Sequence, residues 1–212
     1  MAKQYSSAVE AWTFLVLEVA VIVSRIILRW KTQTFRGLAV DDFLMAAAVP
    51  ISIVSSIPSY IVETVARGLA NSGMTPQERA AIDPSSEEFD LRVKGSKAHM
   101  AGWITYSALL WTLKACWLFF YKRLGDRIDN IIYKVNLGLA LCGITYVVVF
   151  MTILFGCFPI AKHWQINPDP GNSCYPAVSR LQVWTMLVTD VVTDLYIILI
   201  PLPVSPCLPP PQ

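Results

Sequence analysis

Five apolar stretches, each about as long as a helix needs to cross a bilayer, constrain this chain more than any other feature. Spanning about 30 Å of hydrocarbon takes roughly 20 consecutive apolar residues in a helix. The stretches run from Trp12 to Trp30, Phe43 to Val62, Met100 to Tyr121, Val135 to Pro159 and Val183 to Leu202, and several end in Trp or Tyr, as interfacial aromatic belts do. Of the 212 residues, 55% are apolar and 15% charged, against roughly 45–50% and about 25% in soluble domains. That balance makes lipid the solvent. In lipid every backbone N–H and C=O must be satisfied within the segment, so the expected fold class is all-α, a polytopic transmembrane bundle of five spanning helices. A net charge of +2 with no long basic block excludes nucleic acid as a partner, leaving the lipid bilayer itself and a small-molecule or surface ligand.

The first stretch does not read as a cleaved signal peptide, and a spanning helix is expected instead, because its basic flank, Arg25, Arg29, Lys31 and Arg36, follows the apolar run rather than preceding it. The loops set the orientation. Lys31 to Asp42 and Lys122 to Lys134 are short and basic and should face the cytoplasm, whereas the segment from Glu63 to His99 is long, charge-mixed and contains "DPSSEEFD", so it should lie outside. The amino terminus is then outside and the carboxyl end inside. Residues 1–203 form one transmembrane domain, and residues 204–212 form a proline-rich tail that can continue neither helix nor sheet. Pro50 and Pro58 predict a kinked second span.

Charges inside the spans need partners, since each costs about 2.5–3.5 kcal/mol near the bilayer centre on insertion scales. Asp190 and Asp194, four residues apart, share one face of the fifth span, and Lys114 sits mid-way along the third; the three are expected to meet as an intramembrane polar cluster. Its role is either to hold helices together or to line a ligand pocket or ion pathway. Glu18 and Arg25, two turns apart on one face, read as a structural pair. Cys157 and Cys174 both fall on the outer side and are candidates for a disulfide, while Cys116 and Cys142 lie within spans as packing residues. No nucleophile elbow, metalloprotease motif, phosphate-binding loop or dinucleotide fingerprint occurs, and the two histidines, His99 and His163, stand far apart; neither an enzyme nor a cofactor is expected.

Several segments together carry a family resemblance: "RIILRW" with Arg25, Arg29 and Trp30; "AVDDFLM" with Asp41 and Asp42; "ARGLA"; "WTLKACWLFFYKRL"; "GCFPIAKHW" with Cys157 and Trp164; Cys174; and "DLYIILIPLP" from Asp194. In this order the chain resembles the fungal rhodopsin-like integral membrane proteins. That resemblance implies a receptor-like bundle of seven helices with its amino terminus outside, of which this chain would hold five, truncated after the fifth. True rhodopsins carry the retinal lysine in the last helix, and Lys114 is in the third span, so no retinal is expected. The functional expectation is a receptor-like sensor; the alternatives are a transporter or channel component using Lys114, Asp190 and Asp194, or a non-functional fragment.

Overall fold

A computed structural model of the chain describes residues 13, 16–28, 31, 39–125 and 129–201. Arg29, Trp30, Arg36, Arg127, Cys207, the start of the first stretch at Trp12 and the tail 204–212 lie outside the described residues. Residues 16–28 are helical and are termed α1. They are followed by α2 (Val40–Tyr60), which loosens into a π-helical turn (Ile61–Val65), then α3 (Pro76–Ala81), α4 (Glu87–Leu124), α5 (Asp129–Phe155), two 3-10 turns (Ile160–Trp164 and Asn172–Cys174) and α6 (Arg180–Leu199). Among the described residues the chain is helix and connecting turn only.

Local chemistry explains the boundaries. At the start of α2 the Asp42 carboxylate accepts from the Ala39 N–H at 3.2 Å, and Asp41 and Asp42 set negative charge at the positive end of the helix dipole. The helix then runs through Pro50 and Pro58 and widens to π form within a turn of the second proline. Helix α4 begins at Glu87, not Met100. Ser86 Oγ accepts from the Phe89 N–H at 3.2 Å, Glu87, Glu88 and Asp90 fill the first turn, and Lys122 and Arg123 fill the last, so both ends match the dipole. The segment read as a long outer loop is therefore largely helical in its second half. Conversely, α5 stops at Phe155 instead of reaching Pro159: the Gly156 N–H closes on the Thr152 carbonyl at 2.9 Å and a 3-10 turn follows the proline.

Val40–Val65, Ile131–Phe155 and Arg180–Leu199 are long and apolar enough to cross a membrane, and only 17–22% of their most apolar windows is buried inside the molecule. Exposed Ile53, Val54, Ile144, Val148, Val191, Leu195 and Ile198 make their outer faces apolar, as faces turned to lipid are. Of the other two expected spans, the first is only partly described, and the third is the carboxyl part of α4, where Lys114 and several hydroxyl and indole groups lower the hydropathy.

Helix α4 is central, packed by α2, α5 and α6. Its main core joins Trp111 and Leu118 to Val135, Val149, Ile153, Met186 and Ile197, and a smaller core joins Ile22, Ala48 and Leu109 across α1, α2 and α4. Gly138 lets α5 pack closely on α4 and α6, since a Cβ there would sit 2.9 Å from Leu118 and 3.0 Å from Tyr196. In hydrocarbon, apolar contacts between helices gain little over lipid contacts, so polar cross-links matter more. Trp111 Nε1 donates to Thr145 Oγ1 at 3.0 Å, and the Tyr196 hydroxyl donates to the Lys134 carbonyl at 2.8 Å, tying α5 to both neighbours.

Candidate functional site

The structure brings Lys114, Asp190 and Asp194 together. Lys114 is 5% exposed, and its Nζ lies 3.0 Å from Asp190 Oδ1 and 3.1 Å from the Asp190 carbonyl while also donating to Asp194 Oδ1. Two hydrogen bonds, to the Asp190 carbonyl and to Asp194 Oδ1, hold the ammonium, and the Asp190 carboxylate adds an ion pair. The arrangement cross-links α4 to α6 and places the one cation between two acids of a single helical face.

A second cluster lies at the opposite end from the disulfide. Arg25 does not pair with Glu18, as expected from their spacing; its guanidinium reaches Asp41 Oδ2 at 3.4 Å and lies 5.9 Å from the Phe120 ring centre. Asp41, in the first turn of α2, lies beside α1, which one-dimensional spacing does not show. Arg123 stands 3.9 Å from both Asp41 and Asp42. Asp41, 1% exposed, thus sits between cations from α1 and α4, and its carbonyl accepts from Cys116 Sγ at 3.4 Å. Arg25, Asp41 and Asp42 of the family motifs join three helices here.

At the other end, Cys157 and Cys174 form a disulfide. Beside it Asn71, fully buried, acts as a hub. Its Nδ2 donates to the carbonyls of His163 at 2.8 Å and Cys174 at 3.2 Å, and its N–H donates to Ser96 Oγ at 2.8 Å. Buried Arg79 donates to the carbonyls of Ile166, at 2.9 Å, and Asn71, and stacks 5.0 Å from the Tyr175 ring. Trp103 Nε1 donates to the Pro176 carbonyl at 2.7 Å, while half-buried Trp164 of the family motif packs on the main core beneath the Lys97 ammonium, 5.1 Å away. Gly95 makes room for this cap, because any Cβ there would meet the Leu69 carbonyl at 1.9 Å. Sequence reasoning missed Asn71 and Arg79, which lie among polar residues without periodicity.

His163 is fully buried in this cap, and neither ring nitrogen makes a well-formed hydrogen bond. Burial holds its pKa below the usual histidine value, against a smaller opposing pull from the Leu154 carbonyl. Below about pH 6.5 the unfolded chain takes up a proton that the folded chain resists, so stability falls as pH falls from there through the folded-state pKa. Thermal unfolding from about pH 7.5 to about pH 5 is expected to show that loss, with a limiting slope of about 1.4 kcal/mol per pH unit for the one proton. His99, whose pKa burial also lowers, adds to the loss in the same window, so His163→Phe should reduce the slope without abolishing it; an unchanged slope in the variant counts against the assignment.

A cleft of about 610 Å³ opens between α1, α2 and α4 and reaches the capped end at Ala177. Ser52, Ser55, Ser56 and Ser59 line it from α2, Gly102, Trp103 and Tyr106 from α4, and Glu18 from α1. Its volume is that of a small-molecule site. The four serines recur at i, i+3, i+4 and i+7, so one helical face carries hydroxyls where a lipid-facing span would carry aliphatics; that spacing is the signal that could have revealed the cleft. Glu18 Oε1 is buried here without a hydrogen-bond partner among the described residues. Among those residues no group of three His, Cys, Asp or Glu side chains is placed to hold a metal.

The family model of the fungal rhodopsin domain matches residues 24–208 of the chain. No curated protein and no solved structure matches it significantly.

Proposed function

Because the chain belongs to the fungal rhodopsin family, we propose that it is a multi-pass membrane protein of five spans with its amino terminus outside, working as a receptor-like sensor of a small ligand. The observation that carries this reading is the cleft of about 610 Å³ between α1, α2 and α4. Two of its walls run on to the opposite end of the molecule: α2 carries Ser52, Ser55 and Ser56 at the cleft and Asp41 and Asp42 in its first turn, and α4 carries Trp103 and Tyr106 at the cleft and Arg123 in its last turn. A ligand that favours one arrangement of these helices would shift the population of the charge cluster at the far end. The clustering of Arg25, Lys122 and Arg123 at that end supports its placement in the cytoplasm, and the disulfide supports an oxidising exterior for the other. The ammonium of Lys114, buried on α4 and paired with both acids of α6, supports a helix-fastening role for that cluster over a conducting one.

The test uses the full chain in lipid nanodiscs with 2-phenylethanol as probe. Saturation-transfer NMR is expected to detect binding that Ser55→Phe, which fills the cleft, removes. Hydrogen exchange of residues 39–43 and 120–125 should change on binding. Binding without any change at the far end, or a cysteine placed between Lys122 and Lys134 that labels from outside intact cells, would overturn the reading.

A further inference from the structure

Around Glu18 and the middle of α2 the cleft presents acceptors. Ser52 Oγ donates to the Val49 carbonyl at 3.0 Å, Ser55 Oγ to Ser52 at 2.8 Å and Ser56 Oγ to Ile53 at 2.7 Å. Each hydroxyl has given its one proton to its own helix and presents only lone pairs to the cleft. The Trp103 indole N–H is likewise engaged, with the Pro176 carbonyl. Two carboxylates, Glu18 and Glu63, and the His99 imidazole stand on the wall, and no lysine or arginine does. Glu18 has its buried Oε1 turned to no described donor. The remaining surface is apolar or aromatic, from Leu109, Gly102, Trp103 and Tyr106.

We propose that the ligand of this cleft is an organic monocation: a primary or secondary ammonium on a compact aromatic or aliphatic body, its N–H groups directed to Glu18 and the α2 serines. This rests on the reading of the cleft as the sensor's ligand site. An ammonium supplies donors to Glu18 and to the three α2 hydroxyls whose protons are committed to their own helix, and its charge offsets the Glu18 carboxylate where lipid cannot solvate it. Aromatic faces from Trp103 and Tyr106 suit the same charge. A neutral ligand of equal shape would leave Glu18 as it stands, and an anion would meet two acids.

The experiment titrates phenethylamine, 2-phenylethanol and phenylacetate, which share one body and differ in charge, against the full chain in nanodiscs, with empty nanodiscs subtracted. Phenethylamine is expected to bind at least about tenfold more tightly than the alcohol, as a charge-assisted hydrogen bond allows, with phenylacetate weakest. Glu18→Gln, which keeps shape and removes charge, should bring amine and alcohol to within about threefold of each other, whereas Glu18→Asp should keep the preference. Equal binding of amine and alcohol, or a preference that survives Glu18→Gln, overturns the assignment of the ligand class while leaving a cleft that Ser55→Phe still blocks as a ligand site. If none of the three probes binds, the assignment and the sensor reading fall together.

Discussion

Lys114→Leu is expected to destabilise the protein by about 3–5 kcal/mol, the usual result of removing one partner from a buried ion pair. The mechanism is what it leaves behind. Asp190 and Asp194 lose the ammonium that each now contacts, and two carboxylates one turn apart remain in a span where each costs about 2.5–3.5 kcal/mol to hold charged. The α4 to α6 connection also loses a cross-link, which lipid-facing apolar contacts do not replace. Unfolding in mixed micelles and the yield of folded, detergent-soluble chain are the measurements. The triple variant Lys114→Leu, Asp190→Asn, Asp194→Asn should recover most of the loss, because neutral groups of similar shape remove the uncompensated charge. A single variant as stable as the parent would show that the three side chains are not held together away from water.

That cluster was legible in the sequence because the chain has one lysine mid-span and two acids at helical spacing, which leaves few ways to neutralise charge in hydrocarbon. The cysteine pair was legible for a related reason: only Cys157 and Cys174 fall on the same predicted outer side. Apolar length located the second, fourth and fifth stretches to within a few residues, but it carries no information about helices that continue into water. Glu87 to His99 is polar and charged, so α4 appeared to start at Met100, although Ser86 followed by Glu87, Glu88 and Asp90 is a readable cap. Partner choice was not legible for Arg25, because Glu18 is near it along the helix while Asp41 is brought near only by the return of the chain. The cleft was hidden in the same way. Its serines announce a polar face on α2, yet only the packing of α1 and α4 shows that the face encloses a space rather than a helix contact.

The second large effect is expected at the outer cap, where Asn71 and the disulfide act on the same short segment. Asn71→Ala withdraws the amide that donates to the His163 and Cys174 carbonyls. An unsatisfied buried polar group costs about 1–3 kcal/mol, so two deprived carbonyls place the loss at several kcal/mol with the bridge intact. Opening the bridge with Cys157→Ser and Cys174→Ser removes a cross-link over a sequence separation of 17, worth about 3 kcal/mol in the chain-entropy model. The two losses should not add. The carbonyl that Asn71 binds belongs to Cys174 itself, so once the bridge is absent the segment can move and let water reach that carbonyl, and Asn71→Ala should then cost less. Thermal unfolding of the parent, Asn71→Ala, the double serine variant and the combination measures the coupling, which is expected to reach about 1 kcal/mol or more. Strict additivity would mean that Asn71 and the bridge stabilise separate parts of the cap, and the picture of one buried amide anchoring the bridged loop would have to be abandoned.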